Sequence, residues 1–148
     1  MKIDFDKIKG YCKNNKKTVA AVCVLAVSLL VIAFFGKITY ESGDDDFTVG
    51  AWLTSKTTIS YKSVSSVSNV EEFDVGRRKT GMETGRVYAG TFENGKYGVY
   101  RLYIYKSVAS YIVVTSDEGT MVFNCSSAEK TEDAFRELIM KTSPYKDK

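Results

Sequence analysis

The chain contains no histidine, one proline (Pro144), one tryptophan (Trp52) and three cysteines in 148 residues. Lack of histidine removes the commonest general base near neutral pH, the commonest neutral metal ligand and the ordinary pH switch. Cys12, Cys23 and Cys125 lie in three different compositional zones with no CxxC spacing, so neither a zinc site nor a disulfide framework is expected. A lone thiol in a strand-like setting, as at Cys125, reads as a small buried hydrophobe. No metal and no cofactor is expected.

A positive excess is also scarce once the N-terminus is set aside. The formal net charge is +3, but residues 1–17 carry six Lys against two Asp, whereas residues 36–148 carry 15 basic against 16 acidic groups. No nucleic-acid partner is therefore expected for the bulk of the chain. The length suits one ordinary domain beside a terminal segment.

What stands out is the uncharged run "TVAAVCVLAVSLLVIAFF", Thr18 to Phe35, with eleven Val, Leu, Ile or Phe among its eighteen residues. As a helix it would reach about 27 Å, and insertion would gain roughly 3 to 6 kcal/mol before end effects. The run predicts a transmembrane helix over residues 18–35 with the lipid bilayer as its partner. It is long for a signal peptide and ends without a small-x-small pair, so it reads as a retained signal-anchor. Lys13, Lys16 and Lys17 precede it and "ESGDDD" follows, which places the N-terminus in the cytoplasm and the C-terminal domain outside it, in a single-pass cell-membrane protein.

Beyond a polar linker, residues 36–45, the periodicity becomes that of strands: "FTVGAWLT" (47–54), "TTISYKSVSSV" (57–67), "RVYAGTFE" (86–93), "YGVYRLYIYK" (97–106), "SYIVVTS" (110–116) and "TMVFNCS" (120–126). Asn94-Gly95 and "SDEGT" (116–120) mark tight turns, and an antiparallel meander is the natural topology. Within "YGVYRLYIYK", Tyr100, Leu102 and Ile104 are expected on the core face, with Tyr97, Val99, Arg101, Tyr103 and Tyr105 on a face that keeps its hydroxyls wet. A basic-aromatic platform for single-stranded nucleic acid would need a basic groove that the acidic domain does not offer.

From Ser126 the period is helical. Ala128, Thr131, Phe135, Leu138, Ile139 and Thr142 share one face, Ser126 and Glu129 form a capping box, and Pro144 ends the element.

This order of elements, with "GRRKTG", then "YAGTFENGKYGVYRLYIYKSVASYIVVTSDEGTMVFN", then "AEKTEDAFRELI", resembles the bacterial pleckstrin-homology-like (PH-like) domains of the membrane-anchored type over about residues 46–142. The resemblance implies an α+β, mainly β, domain: a bent antiparallel sheet or partly open barrel closed by a C-terminal amphipathic helix, with residues 143–148 as a tail. It also implies a non-catalytic interaction or scaffold module with a protein partner. Phosphoinositide binding does not carry over, because lipid-binding relatives use several basic residues at the first hairpin and here Lys56 stands alone.

Arg77, Arg78 and Lys79, with Arg86 nearby, form the densest basic cluster outside the N-terminus, balanced by Glu71, Glu72, Asp74 and Glu83. They are the candidate contact for an anionic lipid or cell-wall polymer. A membrane-tethered serine-type hydrolase or transferase is the other alternative, because "KTG" (79–81) and "SAEK" (127–130) imitate acyl-transferase motifs. Their order is reversed and the middle element is missing, so no catalytic residue is assigned. The oligomeric state stays open.

Overall fold

The computed structural model describes residues 16–34 and 36–146. Two units make up the chain, Met1–Phe35 and Gly36–Lys148. The first contributes one helix, α1 (Lys16–Phe34), in which the Ser28 hydroxyl donates back to the Val24 carbonyl at 2.8 Å.

This helix corrects the membrane reading. Among the described residues, no helix is long and apolar enough to cross a membrane. α1 is 19 residues long and opens on Lys16 and Lys17, so its apolar part from Thr18 to Phe34 reaches only roughly 26 Å, short of a hydrocarbon core of about 30 Å. The N-terminal transmembrane helix, the single-pass signal-anchor, the bilayer as partner of residues 18–35, and the cell-membrane topology with the domain outside the cytoplasm are all overturned on this ground. Phe35 and the basic residues before Lys16 lie outside the described residues.

The second unit begins in the stretch expected to be a linker. Ile38, Thr39 and Tyr40 are β-branched or aromatic, and they form β1 (Ile38–Ser42). "GDDD" becomes the turn into β2 (Asp46–Ala51), closed by the Gly43 amide donating to the Asp46 carbonyl at 2.8 Å. β3 (Thr57–Ser60) completes an antiparallel sheet of order β1-β2-β3. The expected strand 57–67 is divided by a 3-10 turn at Tyr61–Ser63, where buried Tyr61 donates its amide to the Asp45 carbonyl. Its second half, β4 (Val64–Val70), belongs to another sheet.

That larger sheet also holds β5 (Arg77–Glu83), β6 (Val87–Asn94), β7 (Gly98–Tyr105), β8 (Tyr111–Ser116) and β9 (Gly119–Phe123), in the order β4-β8-β9-β7-β6-β5. The meander holds through β5, β6 and β7 but then breaks. The β8–β9 hairpin turns so that β9 lies beside β7, and the two pair in parallel from Arg101↔Met121 to Tyr103↔Phe123. The last element, α2 (Ala128–Lys146), starts at Ser127, whose hydroxyl accepts the Lys130 amide at 3.2 Å, one residue after the expected cap. Pro144 sits in its final turn, where it forfeits a single intrahelical bond, so the helix runs on to Lys146.

The main core lies between the two sheets and α2. Alternate residues supply it: Phe47 and Val49 from β2, Val87 and Ala89 from β6, Ile112 and Val114 from β8, Met121 and Phe123 from β9, with Ala134 and Leu138 from α2. Tyr103 and Tyr105 belong here, so the face of β7 expected to be wet is buried over its C-terminal half, while Val99 and Arg101 on the same face stay exposed. Tyr103 satisfies its hydroxyl on Thr57 Oγ1 and the Ser55 carbonyl, both at 2.8 Å. The opposite face of β7, with Tyr100, Leu102 and Ile104, forms a second cluster with Phe92, Val113 and Val122.

That cluster is closed by the connection from β4 to β5. Phe73 stacks on Tyr97 at 5.9 Å and meets Tyr100 edge-on at 5.7 Å, while the Tyr100 hydroxyl donates to the Val75 carbonyl at 2.6 Å. Both faces of the strand are therefore covered, each by a different part of the chain. Burial first, and then the Asp74 charge, push the Tyr100 phenol well above its ordinary range.

The sheet bends where β5 and β6 meet at Gly81↔Gly90, with φ of +101° and +138°. A Cβ on Gly90 would collide with the Thr80 carbonyl oxygen, and no L side chain favours that φ. Gly90→Ala is expected to destabilise the domain by about 2 kcal/mol or more. Urea unfolding checks this, and a midpoint equal to wild type would refute the strained hairpin.

Candidate functional site

β1 is an edge strand, with β2 on one side and α2 on the other. Trp52 donates its amide to the Lys37 carbonyl at 3.1 Å and Gly43 to Asp46, both in the register of the β1–β2 ladder. Residues 37, 39, 41 and 43 therefore turn their backbone groups toward β2, and Ile38, Tyr40 and Ser42 turn theirs away.

Each outward residue meets a different fate. The Ile38 amide donates to the Tyr105 hydroxyl at 2.9 Å, which also reaches the Ile38 carbonyl at 3.4 Å. The Ser42 hydroxyl accepts from Lys141 Nζ at 2.9 Å, and Lys141 also donates to the Gly43 carbonyl at 2.6 Å. The backbone amides and carbonyls of Tyr40 and Ser42 bond to no group among the described residues.

The Tyr40 ring stacks on Phe123 at 5.4 Å and its hydroxyl donates to Glu137 Oε2 at 3.2 Å. Burial, followed by the Glu137 charge, raises its phenol far above the ordinary range, so this donor stays protonated. Tyr40–Glu137 and Lys141–Ser42 pin the C-terminal half of β1 to α2. Toward Lys37 and Lys130 the two elements part, because α2 presents only the methyl of Ala134 there.

The gap is a groove of ≈480 Å³, within the range of small-ligand sites. Its floor is Ile38, Tyr105, Asn124 and Ala134, all buried, and Cys125 lies beside them. Burial raises the Cys125 thiol above its ordinary pKa while Lys130 pulls it down, which disfavours the nucleophilic thiolate.

Lys37, Lys130, Asp133, Glu41 and Glu137 stand around the groove. Glu41 is paired with Lys56 at 3.3 Å and Glu137 with Lys141 at 3.6 Å. Lys37, Lys130 and Asp133 form no ion pair among the described residues.

Asn124 holds the floor together. Its Oδ1 accepts the Tyr105 amide at 2.6 Å, and its Nδ2 donates to the carbonyls of Tyr105 at 3.2 Å and Val108 at 3.0 Å. Asn124→Ala would leave these backbone groups unpaired in a site with no exposure. At about 1 to 3 kcal/mol per unsatisfied group, a loss of roughly 3 kcal/mol or more is expected in urea unfolding. A loss below about 1 kcal/mol would contradict the clasp.

The structure disperses the basic residues singled out in the sequence. Arg77 and Lys79 converge on Glu93 Oε2 at 3.0 and 3.4 Å, and Arg78 lies exposed between them. Arg86 sits past the far end of β5, roughly 20 Å along the hairpin from Arg77. Ser127 of the "SAEK" fragment is occupied in capping α2, and its partner Lys130 lines the groove instead. No functional role follows from the sequence for Lys37, Tyr40, Asn124 or Ala134. The only signal for Tyr40 was the short alternation Ile38-Thr39-Tyr40, and Lys37 had none.

Hydrogen bonds first from Arg77, then from Lys79, hold the Glu93 carboxyl below its ordinary pKa. With the folded pKa below the unfolded one, the stability that Glu93 contributes is present above the unfolded value and lost as pH falls through the folded value. In the double variant R77Q/K79Q, carboxyl-carbon NMR titration should show the Glu93 midpoint rising toward the ordinary glutamate range. An unmoved midpoint would deny the pairing.

The domain is mainly β, with two sheets and a closing C-terminal helix beside the groove. Residues 38–139 match the family model of the bacterial PH domain, and the chain belongs to that family. No curated protein matches the chain, and no solved structure does. Family membership supports a non-catalytic binding role and carries no membrane anchor with it.

Proposed function

We propose that the domain binds a protein partner through the groove between β1 and α2 and performs no catalysis itself. The observation that carries this reading is an apolar floor beside an exposed strand edge, rimmed by three charges that nothing in the fold neutralises. Elsewhere on the surface Lys56, Arg77, Lys79, Lys106, Arg136 and Lys141 each have a carboxylate within 4.0 Å, whereas Lys62, Arg78, Lys96 and Arg101 have none among the described residues, so it is the convergence of open charges on one cleft that sets the groove apart. Charges left open at a cleft favour specific recognition over solvation alone. The raised Cys125 thiol and the capping duty of Ser127 argue against an activated nucleophile in the groove.

A second reading places an anionic lipid or wall polymer on β5. Its support is that all three of Arg77, Arg78 and Lys79 are exposed on an edge strand, although two of them are engaged with Glu93.

One experiment separates the two. A photo-crosslinking residue is placed in turn at Thr39, at Arg78 and at the control position Asp117 of the full chain in intact cells. The groove reading expects one discrete protein adduct from Thr39 only. Lipid or polymer adducts from Arg78 alone would favour the second reading, and equal labelling at Asp117 would refute both.

A further inference from the structure

Resting on the groove reading, we infer that the partner enters as an extended peptide that adds a strand to β1, with the Tyr40 backbone as its docking point. An edge strand is a template for pairing, because one row of its amides and carbonyls lacks a neighbour. In β1 that row is already partly filled by the domain itself. Tyr105 occupies the Ile38 backbone, and Lys141 crosses the far end by donating to the Ser42 hydroxyl and the Gly43 carbonyl. Tyr40 and Ser42 both keep an open amide and an open carbonyl among the described residues, and of the two only Tyr40 lines the groove.

An incoming strand would exchange two bonds with Tyr40, as a hydrogen-bonded antiparallel pair does, or donate and accept at that residue in parallel pairing. The five residues of β1 span roughly 17 Å, so the occupant is about five residues long. Its inward side chain meets Ala134 on α2, where the missing bulk leaves room for a small or β-branched residue. A larger side chain at Ala134 would fill that room.

Charge then sets which peptide fits. Lys37 precedes β1 and Lys130 lies near the start of α2, so both stand at the open end of the groove. Asp133 lies one turn further along α2, with Glu137 and Glu41 beyond it at the pinned end. The fit is a peptide with an acidic residue at the Lys37–Lys130 end and a basic residue at the Asp133 end, with small or β-branched residues between.

A displayed library of random octapeptides selected on the full chain tests this. The expected winners carry an acid and a base separated by a few small or β-branched residues. A synthetic copy of the leading sequence should slow hydrogen exchange of the Tyr40 amide at least tenfold. The amides of Thr39 and Glu41, already bonded to β2, should not change.

The surface variant K37E/K130E/D133K should lose at least tenfold in affinity for that peptide, and a peptide with its acid and base exchanged should restore binding. No enrichment, an unchanged Tyr40 amide under saturating peptide, or equal affinity for the charge-reversed variant overturns strand addition. So does a homodimer in sedimentation that the same variant dissociates, because the occupant would then be a second copy of the chain. A protein adduct from Thr39 combined with an unchanged Tyr40 amide would leave the binding role standing and overturn only the strand geometry.

Discussion

The fully buried side chain of Asn124 grips the end of β7 on both sides, taking the Tyr105 amide and giving to the Tyr105 carbonyl. It does for Tyr105 what a neighbouring strand would do, at the point where the parallel pairing with β9 runs out. The Asn124 amide itself donates to the Tyr103 carbonyl at 3.1 Å. Fixed in this way, Tyr105 projects its ring into the core and its hydroxyl to the Ile38 backbone, which belongs to the other sheet. One amide side chain thus positions the larger sheet, the smaller sheet and the groove floor together. A buried polar network of this kind is costly if any member is unpaired, and here no buried side-chain N or O lacks a partner among the described residues.

The same constraint explains why β7 is covered twice. Parallel pairing with β9 makes β7 a central strand, and a central strand of a bent sheet has two faces to shield. The first is covered by the smaller sheet and α2. The second is left to the segment 71–76, whose Phe73 lies among Tyr97, Tyr100 and Tyr111 at 5.7 to 5.9 Å. Burying an aromatic side chain gains on the order of 1.5–3 kcal/mol, enough to hold a short crossing that has acids at Glu71, Glu72 and Asp74 on either side. Gly76, with φ of +63°, turns that segment into β5 where a Cβ would strike the Glu93 carbonyl.

Much of this was legible in the residues, and the failures have physical causes. Strands with two-residue alternation, such as Phe47/Val49 and Ile112/Val114, announce themselves because one face is buried. β5 was missed because "RRKTGME" turns only Met82 toward the core and owes its conformation mainly to the ladder with β6. β1 was read as linker because only three of its residues have strand character and acids follow at once. The core face of β7 was read correctly, but Tyr103 and Tyr105 on the other face were expected to be wet because a tyrosine is apolar along its body and polar at its tip, and only the fold brings that tip to Thr57 or Ile38. Parallel pairing of β7 and β9 depends on a long-range contact with no local signature. The groove was invisible for a related reason: it is the space left when Ala134 faces an edge strand, and neither partner is unusual on its own.

The apolar run and the basic cluster drew attention because they are contiguous in sequence, and contiguity is a poor guide to what a folded surface offers. In "RRK" two of the three cations meet at a single carboxylate, so the local field is weaker than the sequence suggests, and an exposed pair of that kind is screened by salt. Around the groove, Lys37 and Lys130 come from positions more than ninety residues apart, and Asp133 stands one turn along α2 from Lys130 beside the same apolar floor. Low-dielectric walls strengthen the pull of such charges on a ligand that displaces the water, and the free Tyr40 backbone supplies direction. The groove is therefore assembled by the fold: Lys141 ties α2 to β1 at one end, and at the other the small Ala134 leaves the space between them unfilled.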